Sequence, residues 1–240
     1  MQEINSLENP IIKKYLKLKD KKFRDLDNLF LVYGLKQLNE ISDKTLIKDI
    51  ISTDEKIATI KVNEKIIKAF AQTITPIDPI IVMKKNHTFN YDNKILILDN
   101  IQNPDNLGAI IRSMVSFNIT SLIMSNNSVD IYNDKVIRAS QGGLFYITHK
   151  RTNLLDEIKK LKDDGYLILG TFPYNNIDCS FDIFNNKKIA LIIGNEGNGI
   201  SSELVAYIDK KISIKTYNLE SLNAAVASSI VLYEWSKYAS

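Results

Sequence analysis

Residues 189–201 read Ile189-Ala190-Leu191-Ile192-Ile193-Gly194-Asn195-Glu196-Gly197-Asn198-Gly199-Ile200-Ser201. An unbroken apolar run that stops at a glycine predicts a strand buried on both faces. Three of the chain's nine glycines then fall within six residues. Glycine allows positive φ angles and close approach of backbone to a ligand. A helix is expected over 201–207, with Ser201 or Ser202 as its cap. Strand, glycine-rich turn and helix together point to a nucleotide-type ligand. The turn lacks the lysine of a phosphate loop, and its spacing is not a dinucleotide fingerprint. Glu196 disfavours an anionic phosphate and favours a neutral or cationic ligand.

Working outward, the same alternation continues. Strands are expected at 95–98, 121–124, 167–171 and 211–214, with an extended stretch at 145–148. Helices are expected at 107–117, 135–139, 154–163 and 221–238. Apolar strands alternating with helices predict a parallel sheet covered on both faces, with ligands bound in loops at the carboxyl ends of its strands. Upstream, strands at 29–32, 47–52 and 80–83 and helices at 35–41 and 64–70 predict a smaller α/β unit. Residues 84–94 are polar and aperiodic, as in a linker. The expected division is a first domain over 1–84, a linker over 85–94 and a second domain over 95–240.

Composition narrows the function classes. The chain has 240 residues, 45% hydrophobic and 25% charged, enough for one large or two small globular domains. With 31 basic and 28 acidic residues the net charge is only +3, so any nucleic-acid footprint must be local. Cys179 is the one cysteine, which excludes disulfides, and His87 and His149 are the only histidines, so no metal centre is expected. No apolar run is long enough to span a membrane. Met1-Gln2-Glu3 and the lysines that follow do not read as a secretory signal, so a cytoplasmic location is expected.

The densest basic cluster is Lys13, Lys14, Lys17, Lys19, Lys21, Lys22 and Arg24, set against Asp20 alone, on an amphipathic helix expected over 11–24. It reads either as a solvated helix face or as a patch that neutralises phosphates. Two further loops can carry chemistry. In Leu98-Asp99-Asn100-Ile101-Gln102-Asn103-Pro104-Asp105-Asn106-Leu107-Gly108-Ala109-Ile110-Ile111-Arg112 a buried strand opens into a helix, with Asn106 near the helix start as a cap. In Ile214-Lys215-Thr216-Tyr217-Asn218-Leu219-Glu220-Ser221-Leu222-Asn223-Ala224-Ala225 a strand leads to a helix of small residues, with Ser221 as the expected cap.

Taken in order, the three loops resemble the motifs of the SpoU (TrmH) family of RNA ribose 2′-O-methyltransferases, in the SPOUT superfamily. Asn106, Gly108 and Arg112 match its N-x-G-x-x-x-R pattern, and Gly194 to Ile200 match G-N-E-G-x-G-I/L. Ser221-Leu222-Asn223 with Leu232-Tyr233-Glu234 match the third motif. Lys135-Val136-Ile137-Arg138-Ala139-Ser140-Gln141-Gly142-Gly143 looks like the family's K-x-x-R-A-S-x-G-A segment. Residues 4–83 look, more weakly, like the ribosomal-protein-like substrate-binding domain often attached to it. Ile214-Lys215-Thr216 departs from the usual I-P-M, Tyr33 replaces the acid of F-L-V-E-G, and Gly143 replaces an alanine.

The resemblance implies a parallel-sheet α/β domain closed by a deep trefoil knot. It implies S-adenosylmethionine held near Thr171, Phe172, Gly194, Asn195, Gly199, Ile214, Leu222, Asn223 and Ala224. It assigns the chemistry to Arg112, with Asn106, Glu196, Ser221 and Asn223 orienting the reactants, in a homodimer whose active sites lie at the subunit interface. Arg112 fits a phosphate clamp and oxyanion stabiliser better than a general base, because guanidinium keeps its proton. Lys13, Lys14, Lys17, Lys21, Lys22, Arg24 and Arg138 would contact RNA, 23S ribosomal RNA before transfer RNA. A non-catalytic RNA-binding factor of the same fold is the alternative.

Overall fold

Asparagine followed by an apolar repeat starts most of the helices. Asn9, Asn63, Asn103, Asn133, Asn153 and Asn223 each accept a backbone N–H of the first helical turn, which satisfies donors that would otherwise have no partner. The computed structural model describes residues 1–173, 181–218 and 222–238. In chain order its first elements are β1 (Gln2–Ile4), α1 (Pro10–Lys17), α2 (Lys21–Asp27), β2 (Leu29–Tyr33), α3 (Leu35–Glu40), β3 (Ile47–Ser52), β4 (Ile60–Val62), α4 (Glu64–Phe70) and β5 (Ile80–Lys84). There follow β6 (Lys94–Leu98), α5 (Pro104–Ser116), β7 (Ser121–Ser125), α6 (Asp134–Ala139), β8 (Thr148–Thr152), α7 (Leu154–Asp163), β9 (Leu167–Phe172), β10 (Ile189–Ile193), α8 (Ser202–Val205), β11 (Lys210–Ser213) and α9 (Ala224–Ser236).

The elements form two units. Residues Met1–Asn86 with Asp130–Phe145 make one, and His87–Val129 with Tyr146–Ser240 the other. The first holds a five-stranded sheet ordered β1-β4-β3-β5-β2, with β1, β4 and β3 parallel and β5 antiparallel to β3 and β2. Its core gathers Ile12, Tyr15, Leu31, Ile51, Ile66, Phe70 and Val82. The helix expected over 11–24 is broken at Leu18–Asp20. Arg24, on α2, folds back and its Nη1 donates to the carbonyls of Leu18 (3.0 Å) and Lys19 (2.6 Å) left open by the break. β1 and β4, three residues each, have no counterpart in the sequence reading.

The second unit holds six parallel strands ordered β11-β9-β10-β6-β7-β8. Side chains alternate across it. Ile95, Ile97, Ile123, Ile168, Ala190 and Ile192 face Leu154, Ile158 and Leu161 of α7 and Leu204 of α8. Leu96 and Leu98 point the other way, toward the side where α5 and α9 pack on each other. That helix contact is tight enough for Ser113 Oγ and Ser229 Oγ to hydrogen-bond at 2.7 Å. The stretch expected to be extended at 145–148 is instead a 3₁₀ turn (Gly143–Tyr146) followed by the strand Thr148–Thr152. That strand is polar throughout and half-buried, so it carries no alternation for a sequence reading to find. Among the described residues no helix is long and apolar enough to cross a membrane, and no group of three or more His, Cys, Asp or Glu is placed to hold a metal ion.

Candidate active site

β6 and β10 lie side by side, but the chain leaves them in opposite directions. From β6 it passes through α5 to β7; from β10 it passes through α8 to β11, beyond β9. Parallel sheets open a crevice at such a point, beyond the carboxyl ends of the strands. Here the crevice is a cleft of about 610 Å³. Thr171, Phe172 and Pro173 line it from the end of β9, Ile193 through Ile200 from the turn after β10, and Ile212, Ser213, Ile214 and Thr216 from β11 and the segment after it. Leu222, Ala224, Ala227 and Val231, before and along α9, close it.

The glycine-rich turn is fixed by its own backbone. Asn195 and Gly199 exchange both backbone hydrogen bonds, at 3.0 and 2.9 Å. A Cβ on Gly194 would lie 2.2 Å from the Gly199 carbonyl carbon, so that position accepts no side chain, and Gly199 has a φ of +67°, where a side chain is strained. The Asn195 side chain is consumed in holding the turn. Its Oδ1 accepts from Gly197 N (2.9 Å) and Asn198 N (3.2 Å), and its Nδ2 donates to the Asn100 carbonyl (2.9 Å) in the loop after β6. Ser201 N donates to Asp99 Oδ2 at 2.7 Å, a second tie between the two loops. Ser201 occupies the cap position of α8, but its side chain makes no capping hydrogen bond.

A side-chain relay joins all three loops. Asn106 Nδ2 donates to Glu196 Oε1, and Asn106 Oδ1 accepts from Asn223 Nδ2 at 3.0 Å. Asn223 Oδ1 in turn caps α9 by accepting from Ala225 N (2.9 Å) and Val226 N (3.3 Å). Two expectations are corrected here. Asn106 does not cap α5: Asn103 does, with Pro104 at the first helical position, and that frees the buried Asn106 to bridge Glu196 and Asn223. The cap of α9 is Asn223 rather than Ser221, which lies outside the described residues. Asn223 does not line the cleft, whereas the other eight expected cofactor contacts do. Sequence reasoning missed Ile193, Ile200, Ile212, Thr216, Ala227 and Val231 as lining residues. Ile193 and Ile212 lie in the strands expected at 189–193 and 211–214, where burial in the sheet leaves no separate mark of a lining role.

Arg112 lies on α5, six residues beyond Asn106, and is exposed. Among the described residues its side chain has no hydrogen-bond or ion-pair partner. It shares the open face of α5 with Asp105 and Ser116.

The sequence profile of the SpoU rRNA methylase family matches residues 93–233. The chain belongs to the SpoU rRNA methylase family. The 23S rRNA (guanosine(2553)-2′-O)-methyltransferase RlmP of Bacillus subtilis is 30% identical over 246 aligned residues, covering 97% of this chain and 98% of that protein. A solved AdoMet-bound rRNA methyltransferase from Sinorhizobium meliloti is 26% identical, with a TM-score of 0.86 over 98% of this chain and 97% of that one. The SpoU methyltransferase AviRb of Streptomyces viridochromogenes, in complex with AdoMet, shares the fold at 21% identity and a TM-score of 0.80, covering 96% of this chain and 98% of that one.

Within this SpoU family chain the basic residues are unequal. Arg24 is buried, with Nη2 2.7 Å and Nε 3.1 Å from Asp130 Oδ2. It organises the first unit and does not face solvent, which corrects its expected place in an RNA-contacting patch. Lys13 pairs with Glu8, Lys14 with Asp27 (3.0 Å), Lys21 with Asp25 (2.5 Å) and Arg138 with Asp134. Lys19 donates to the carbonyls of Ala69 (2.8 Å) and Ala71 (3.4 Å). Lys17 and Lys22 instead sit over the ring of Phe23, at 5.4 and 6.0 Å from its centroid.

Proposed function

We propose that this chain transfers a methyl group from S-adenosylmethionine to a ribose 2′-hydroxyl of RNA, ribosomal RNA before transfer RNA. The observation that carries the reading is the Glu196–Asn106–Asn223 relay, which gathers three loops far apart in sequence around one cleft. The cleft suits the methyl donor. Ile193, Ile200, Ile212, Ile214, Leu222 and Val231 give it apolar walls for a nucleoside, and among the described residues no lysine or arginine lines it to oppose a sulfonium cation. The backbones of Thr171, Phe172, Gly194, Gly199, Ile214, Leu222 and Ala224 would hold the adenosine and its tail, while the side chain of Asn195 holds the turn itself. Bound there, S-adenosylmethionine supplies an activated methyl group.

Arg112 clamps a phosphate of the target nucleotide and stabilises the oxyanion that develops on the ribose. Asn106, Glu196 and Asn223 keep the loops in register, and Ser221 would orient the reactants. A ribose hydroxyl must come within about 3–3.5 Å of the methyl carbon for transfer, which is what ordered loops provide. Arg112 on α5, and Val226 (48% exposed) and Tyr233 (50% exposed) on α9, which packs against α5, offer open side chains that fit a second copy of the chain. A homodimer would thus bring Arg112 to a composite site. The trefoil knot of the family, the division at 84 and 95, and a cytoplasmic location belong to the same reading. The first domain would hold RNA, with Lys17 and Lys22 as its freest phosphate contacts and Lys13, Lys14 and Lys21 exchanging their carboxylate partners for phosphate; Arg138, in the Asp130–Phe145 segment of the first unit, would do the same. The preference for ribosomal RNA is supported by the Bacillus subtilis relative, which aligns with 97% of this chain, first domain included.

The test incubates unmodified 23S rRNA with methyl-labelled S-adenosylmethionine and locates the label by resistance of the ribose to alkaline cleavage. Arg112→Ala should lower transfer by about 10²–10³-fold or more, with cofactor affinity by calorimetry unchanged. Wild-type protein that takes up no S-adenosylmethionine would return the chain to an RNA-binding role without turnover, and label appearing only in transfer RNA would change the substrate.

A further inference from the structure

The segment leaving β11 alternates. Ile214 and Thr216 line the cleft, while Lys215 and Tyr217, the residues between and beyond them, do not. Tyr217 is 83% exposed, and Lys215 Nζ stands 5.3 Å from its ring centroid. So exposed a ring adds little to the packing of the described residues. A second pair lies on the same rim: Lys211 Nζ is 4.9 Å from the ring of Phe172, which itself lines the cleft. Lysine on β11 has an ordinary explanation, because β11 is an edge strand and charge there blocks pairing with other chains. That explanation does not reach Lys215 and Tyr217, which lie past the end of the strand.

We propose that Tyr217 and Lys215 hold an unpaired nucleotide of the RNA substrate at the rim of the cleft, the ring stacking on a base and the ammonium meeting a phosphate. This rests on the methyltransferase reading of the cleft. A ribose enters a recess in the protein surface more readily from an unpaired nucleotide than from a helix, and RNA is recognised chiefly through such unstacked bases set on aromatic side chains. An exposed aromatic ring beside a cation is the arrangement that holds unpaired nucleotides without demanding a particular base. Lys215 and Thr216 are also where the chain departs from the family's I-P-M. The departure therefore adds a contact for RNA on the outer side of the wall while Thr216 keeps the inner side.

The experiment measures kcat/KM for methyl transfer to unmodified 23S rRNA, with calorimetry of S-adenosylmethionine binding alongside. Tyr217→Ala should lower kcat/KM by roughly 5- to 150-fold, the range expected for loss of one stacked base. Tyr217→Phe should restore it, and cofactor affinity should be the same in all three proteins. Lys215→Gln should reduce the slope of log(1/KM) against log salt by roughly 0.7–0.9, as for one lost phosphate contact. A Tyr217→Ala protein with unchanged kcat/KM overturns the inference while leaving the methyltransferase reading intact. A Tyr217→Ala protein of altered mass by light scattering, with KM for RNA unchanged, assigns the rim to a protein contact and also overturns it. Wild-type protein without transfer removes the reading and the inference together.

Discussion

The relay at the cleft can be broken and rebuilt with two substitutions of almost no volume. Asn106→Asp keeps the shape of a buried side chain but removes its N–H donor and sets a second carboxylate against Glu196. A hydrogen bond to a charged acceptor contributes about 1.5–3 kcal/mol. Repulsion between two carboxylates about 4 Å apart lies between about 1 kcal/mol in water and about 4 kcal/mol near a protein surface, and the exposure of Glu196 favours the lower end. Together these disfavour the closed arrangement of the loops by about 3–5 kcal/mol. Apparent cofactor affinity falls by the fraction of molecules that remain competent, so a loss of up to about 150-fold is expected for the first 3 kcal/mol. Adding Glu196→Gln to the same protein returns a donor to the pair, now from the other side, and removes the repulsion. The acceptor facing Asn223 Nδ2 is kept throughout. Calorimetry of S-adenosylmethionine with wild type, single variant and double variant reads the outcome directly. The double variant should recover to within about 10-fold of wild type, one 1.4 kcal/mol step. A double variant no better than Asn106→Asp alone, or a single variant that binds as wild type does, would show that this contact does not hold the cleft.

Two further predictions concern the first unit. Asp130→Ala should cost about 3–5 kcal/mol in denaturant unfolding, because it leaves the buried Arg24 guanidinium without its carboxylate, and Asp130→Asn should cost less since an acceptor remains; a loss under about 1 kcal/mol for Asp130→Ala would mean that water reaches Arg24. Asp25 should give the unit an acid-sensitive increment: burial raises its pKa, but hydrogen bonds from Lys21 and Lys85 outweigh that and bring it down to about 2. Between pH 4 and 2 the unfolded chain therefore binds more protons than the folded one, so the increment is complete above about pH 4 and disappears as pH falls through 2. The half-exposed carboxylate limits it to under about 1 kcal/mol, and urea titrations from pH 2 to 5 should lose that pH dependence in Asp25→Asn.

The second sheet was legible because its central strands are buried on both faces and leave an unambiguous mark. Ile189–Ile193 and Leu154–Asp163 coincide with the expected spans. The edges were not legible for the converse reason. β8 reads Thr148-His149-Lys150-Arg151-Thr152, and its strand character comes from pairing with β7 rather than from any pattern of its own. β1 and β4 are too short to show a period: β4 is a strand because it pairs with β3, and β1 because it pairs with β4. Arg24 shows the same limit at the level of one side chain. In the local sequence it is the last member of a basic run. Its burial is decided by Asp130, 106 residues away.

At the site, the position of the cap on α5 was written in the sequence. Proline at the first helical position costs no hydrogen bond, so Asn103-Pro104 marks the start of a helix better than Asn106 does. Once Asn103 takes that duty, a buried Asn106 needs partners elsewhere, and Glu196 and Asn223 are the partners it finds. The choice of asparagine at 223 follows from the same accounting. Serine or aspartate would cap α9 as well, since capping needs only an oxygen. The relay also needs a donor aimed at Asn106: aspartate has none, serine would have to accept and donate through a single oxygen, and the amide divides the two tasks, Oδ1 accepting from Ala225 N and Val226 N and Nδ2 donating to Asn106 Oδ1. One side chain therefore starts the last helix and ties it to the other two loops. The geometry of the cleft is thus set by the same hydrogen bonds that decide where the helices begin.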